Sequence, residues 1–118
     1  MIKLVRVYDI NNDKSEKGYT LLVDRLWPRG IKKNDLKADE WLKDAAPSVP
    51  LRKWFNHDPA KWQDFRRDYK NELKEKTDLM QRIKDLEKKH DEIILLYAAK
   101  DPEHNHALVL KEFLDSLK

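Results

Sequence analysis

At 118 residues the chain has material for one hydrophobic core and not two, and its 25 basic and 22 acidic residues leave a formal net charge of +3. The lack of cysteine excludes disulfides, thiolate chemistry and cysteine-ligated metals, and suits a reducing cytoplasm. The longest apolar stretch, Ile93 to Ala99, is far short of the ~20 residues that span a bilayer, and "MIKLVRVYDI" lacks the apolar centre and cleavage site of a signal peptide, so no membrane partner is expected.

Ile2 to Tyr8 ("IKLVRVY") and Tyr19 to Leu26 ("YTLLVDRL") read as strands, separated by the turn-like "INNDKSEKG". So short a connection fits a hairpin or a cramped crossover between parallel strands, and its length favours the hairpin. "WPRGIKKND" then breaks the pattern through Pro28 and Gly30. In "LKADEWLKDAA" the residues Leu36, Trp41, Leu42 and Ala45 share a helical face, which predicts a helix ended by Pro47. "LRKWF" is too short to classify. Asp58-Pro59 marks a helix start, followed by Trp62, Phe65, Tyr69 and Leu73 at core spacing.

A further helix over Thr77 to Lys89 presents Leu79, Met80, Ile83 and Leu86, with Lys88, Lys89 and His90 at the negative end of its dipole. "EIILLYAA" is continuously apolar, as befits a central strand covered on both faces. The last helix, Glu103 to Leu117, follows a second Asp-Pro at Asp101. The expected architecture is one α/β domain over residues 1–118, with a small, mainly parallel sheet of about three core strands and four to five helices.

Acidic residues stand at the strand exits: Asp9, Asp24 and Asp101. Parallel strands would bring them to one rim, where open α/β folds form ligand crevices. Asp24 interrupts an apolar run and needs a partner if buried; Arg29, beyond the Pro28 turn, is the expected one. Asp101 reads as a helix cap. His104 and His106 fit three settings: a loop, an anion site at a helix N-terminus, or a metal site completed by His57 or Asp58. In "LRKWFNHDP", Trp54 and Phe55 either anchor the loop to the core or join Arg52 and Lys53 in a basic-aromatic surface. His57 is a candidate general acid or base. No nucleophile elbow, glycine-rich phosphate loop or dinucleotide fingerprint is present, and no motif names a cofactor.

Taken together, "LVDRLWPRGIKK", "WLKDAAPSVPLRKWFNHDPAKWQDF" and "LLYAAKDPEHNHALVL" resemble the YeaO-like branch of domain-of-unknown-function family 488 over almost the whole chain. The resemblance implies a compact bacterial cytoplasmic α/β domain without an assigned activity. Longer relatives carry an extra helix between the first two strands, which implies that these strands are parallel here. They also carry a Cys-His-Arg run where this chain has "HNH", so thiol chemistry is not expected in this branch. Asn56 stands where relatives often have glycine. The residues carrying the resemblance near the rim are Asp24, Arg25, Trp27, Arg29, His57, Asp58, Tyr97, Asp101, His104, Asn105 and His106.

The first functional expectation is a small anionic or phosphorylated ligand at the rim. Arg25, Arg29 and the Asn105 region would hold the anion, with His57, His104 or His106 moving protons and Asp24 orienting a cation or ring. The alternative is a non-enzymatic module that binds protein or nucleic acid through "LRKWF". The interleaving of Lys and Arg with Glu and Asp argues against a nucleic-acid partner. A divalent-metal enzyme using Asp24, His57 and the His-x-His pair is the third.

Overall fold

A computed structural model of the chain describes residues 1–9, 18–36 and 38–117; the turn read in "INNDKSEKG" lies, for residues 10–17, outside them. Four parallel strands form one sheet in the order β1-β4-β2-β3, with β1 Ile2–Arg6, β2 Tyr19–Leu22, β3 Glu40–Trp41 and β4 Ile93–Tyr97. The α/β expectation is thus met with one extra edge strand. The hairpin alternative is excluded, because β4 lies between β1 and β2 and pairs with both, Leu4 and Leu21 each facing Leu95. All five β4 side chains are buried, as a continuous apolar run in a two-sided sheet requires.

The two faces differ. Ile2, Leu21, Val23, Ile93, Leu95 and Tyr97 meet α1 (Val49–Phe55), α2 (Trp62–Lys74), α3 (Thr77–His90) and α4 (His106–Ser116) in the main core. Val7, Leu22, Ile94 and Leu96 pack instead against Leu36 and the partly buried Trp27, Ile31 and Trp41 of the segment after β2. Among the described residues there are four α-helices, with 3-10 turns at Lys43–Ala45 and Pro59–Lys61, and no helix is long and apolar enough to cross a membrane.

The helix expected over "LKADEWLKDAA" is replaced by β3 and the first 3-10 turn. Trp41 packs in the smaller core and Leu42 against the larger, so neighbours alternate between faces with the period of a strand. The free edge of β2 captures this segment. Asp39 N donates to Thr20 O (3.0 Å) and Thr20 Oγ1 (2.8 Å), Thr20 N donates to Asp39 Oδ2 (2.8 Å), and Leu42 N donates to Leu22 O (2.8 Å). These bonds outweigh a short helix of ordinary propensity.

"LRKWF" falls in α1, whose N-cap Ser48 accepts from Leu51 N and is itself held by Glu72 through Ser48 N (2.8 Å) and Oγ (2.5 Å). Asn56 ends α1 at φ 44°, and His57 follows at φ 56°. Glycine favours this left-handed region, and Asn is the residue that best tolerates it otherwise, which accounts for Asn56 at this position. Asp58 accepts from Ala60 N (3.0 Å) and starts the turn into α2, as expected.

Candidate functional site

The chain leaves β2 toward β3 but leaves β4 toward α4, which packs on β1 and α2. This divergence opens the sheet edge where doubly wound folds place ligands. Asp24 stands there, just past β2. Its Oδ2 accepts from Ala98 N (3.0 Å), tying the exits of β2 and β4, and its backbone carbonyl accepts from Trp41 Nε1 (2.7 Å). The partner of Asp24 is His106 rather than Arg29: His106 Nε2 lies 3.1 Å from Asp24 Oδ1 and 3.0 Å from Val23 O.

Both neighbours of Nε2 are acceptors, so this nitrogen must carry a proton. One N–H cannot align with two acceptors at once, and Oδ1, shielded from solvent, has no fully aligned donor. The Asp24 and His106 side chains are only 16% and 17% exposed. Arg29 is exposed, and its carbonyl accepts from Tyr8 Oη (2.8 Å). A flexible arginine on a surface turn has water to solvate it, whereas His106 is delivered to Asp24 by the start of α4.

That start comes later than expected. Asp101 does not cap the helix: its Oδ1 accepts from Glu103 N (2.8 Å) and His104 N (3.2 Å), closing a separate turn. Asn105, 2% exposed, is the N-cap, accepting from Leu108 N (3.0 Å) while its Nδ2 donates to Asp101 O (2.9 Å). His104 therefore precedes the helix and His106 begins it, and the two rings meet different carboxylates. His104 Nδ1 sits 2.8 Å from Asp101 Oδ2. Bonds from Glu103 N and the His104 ring hold the Asp101 carboxyl below the usual aspartate range.

A row of rings on α2 connects the two pairs. His104 meets Trp62 edge-on at 5.3 Å, Trp62, Phe65 and Tyr69 stack in succession, and His106 meets Tyr69 edge-on at 6.2 Å. Burial pushes the Tyr69 phenol up, and its hydroxyl donates to Ala45 O. Lys76 Nζ donates to the Asp44 and Ala46 carbonyls and Arg25 to those of Ala46 and Pro47, so residues 44–47 have every carbonyl satisfied by a side chain from elsewhere. Burial, with Arg25 nearby, lowers the Lys76 ammonium.

The remaining candidates separate. Trp27 is half-buried on the opposite sheet face, with Nε1 on Ile31 O (2.6 Å) and its ring against Trp41. Tyr97 is buried in the main core, and burial, then the charge of Asp9, raises its phenol. His57 is exposed beside Phe55, with ring centres 6.2 Å apart. Among the described residues no three His, Cys, Asp or Glu side chains are grouped to hold a metal ion.

"LRKWF" divides in two. Phe55 is buried and stacks on Phe65 at 4.2 Å, as a core anchor does. Trp54 is 42% exposed, and Lys61 Nζ lies 5.1 Å from its ring centre while donating to its carbonyl (2.9 Å). Lys61 escaped the sequence reading because the Asn56–Asp58 turn, which folds it back on Trp54, leaves no periodic signal.

A family profile described as "Inactive DUF488-N3 subclade" matches residues 1–117. The uncharacterised protein YeaO of Escherichia coli K12 is 47% identical over 116 residues, 98% of each chain. Uncharacterised proteins of Mycobacterium tuberculosis and Mycobacterium bovis are 42% identical over 73 residues, 61% of this chain and 59% of each of theirs. No solved structure matches at a significant level. With a profile that matches residues 1–117 and a relative 47% identical over 98% of the chain, the chain belongs to the DUF488 family, in the subclade described as inactive.

Proposed function

We propose that this protein is a non-catalytic binding module that recognises an anionic partner through the exposed face of α1. The observation that carries this reading is the set Lys53, Trp54 and Lys61: a half-open indole with a lysine over its ring, beside a second exposed lysine without a carboxylate partner among the described residues. Exposed indole offers contact area at low entropic cost, and unpaired ammonium groups are available to an anion. The subclade's description as inactive supports binding without turnover. So does the rim, where Asp24 and Asp101 already engage His106 and His104. A cytoplasmic setting suits the cysteine-free chain.

Charge reversal tests it. Lys53→Glu with Lys61→Glu should release the protein from a heparin column at clearly lower salt than Lys88→Glu with Lys89→Glu, a matched double reversal on α3. Equal elution of the two variants would overturn the assignment of this face.

A second reading, a small anionic or phosphorylated ligand at the rim, is favoured by His104, which is 28% exposed with Nδ1 held by Asp101 and Nε2 unengaged among the described residues. On this reading inorganic phosphate raises the melting temperature, and Arg29→Ala or His104→Ala removes the rise. A rise that persists in both variants would place phosphate elsewhere.

A further inference from the structure

Building on the α1 reading, we propose that the anionic partner is a single-stranded nucleic acid, with one base stacked on Trp54 and neighbouring phosphates on Lys53 and Lys61. Phe55 and Leu51 already supply the apolar anchors of α1, at 5% and 9% exposure, so the fold does not need the Trp54 ring. Lys61 lies over the indole while donating to the carbonyl of the same residue. One face of the indole is backed by a cation, which leaves the other for a ring to stack on.

Lys53 lies about 100° from Trp54 around the helix, next to the indole rather than behind it. Arg52 is about 160° away and is not needed. Arg52, Lys53 and Lys61 outnumber Asp58, and Asp64 is paired with Arg67. The local charge is therefore positive although the whole chain is nearly balanced, so the mixed overall composition does not decide against a nucleic acid at this face.

The chemistry selects among anionic partners. An acidic peptide neutralises the lysines but leaves the indole in water. A duplex supplies phosphates but hides its base faces. A single strand satisfies both, because every base has a π-face and the stack tolerates any sequence. Seven residues of α1 are also too few for a stable protein interface of ~800 Å² per partner, whereas a nucleotide or two needs only one ring and two cations.

The test uses the full chain and fluorescence anisotropy of an end-labelled, short oligothymidylate at low salt. Trp54→Ala should weaken binding about fivefold to a hundredfold while Trp54→Phe retains most of it. Lys53→Gln with Lys61→Gln should flatten the salt dependence. Circular dichroism should be unchanged in each variant, since none of these side chains is in the core.

If oligothymidylate and polyglutamate bind alike and Trp54→Ala has no effect, the nucleic-acid inference is overturned and the anionic-partner reading stands. Stronger binding of polyglutamate or of the matching duplex overturns it in the same way. If no polyanion binds at low salt, both fall.

Discussion

His106→Ala is expected to destabilise the protein by about 2 kcal/mol, read as a lower urea midpoint. The substitution removes the N–H that Val23 O accepts, leaving that backbone carbonyl inside the protein without a donor, and takes the imidazole away from its place 3.1 Å from Asp24 Oδ1. An orphaned buried acceptor costs about 1–3 kcal/mol. With the two side chains still 16–17% exposed, water recovers part of that loss.

Asp24→Asn should cost less, because it keeps an acceptor for Ala98 N and leaves no buried charge. The double variant should lose less than the sum of the two, since the residues share one interaction. A His106→Ala protein within about 0.5 kcal/mol of the parent would show that the pair does not fasten β2 to α4.

Asn105→Ala is expected to cost about 2 kcal/mol, and Asn105→Asp shows which bond matters. Asn105 has two tasks: Oδ1 accepts from Leu108 N and Nδ2 donates to Asp101 O. Aspartate caps helices as well as asparagine does, but it has no donor for Asp101 O and adds a charge near the Asp101 carboxylate. Thermal unfolding should therefore find Asn105→Asp well below the parent. Full rescue by aspartate would reduce the role of Asn105 to capping alone.

The same residues show how far the sequence can be read. The buried β4 strand was legible because Ile93 to Tyr97 has no polar interruption, and α2 because Trp62, Phe65, Tyr69 and Leu73 repeat at one helical spacing. "LKADEWLKDAA" misled because four apolar residues satisfy two periods, and only the open edge of β2, with Thr20 ready to receive Asp39, decides between them. The start of α4 was placed three residues early, at Glu103 rather than His106: Asp101 and Asn105 are both good caps, and which one serves depends on the turn the other closes.

Local composition by itself determined the α/β class, the central strand, the acidic residues at the strand exits and the lack of thiol chemistry. These follow from side-chain chemistry and from periodicities that act over a few residues. The pairings were decided only by the tertiary structure. Asp24 meets His106 across 82 positions of sequence because parallel β2 and β4 end side by side and α4 begins above them. Lys61 meets Trp54 because a left-handed turn reverses the chain between them. Such contacts depend on the directions in which elements enter and leave the sheet, and no short stretch of sequence encodes those directions.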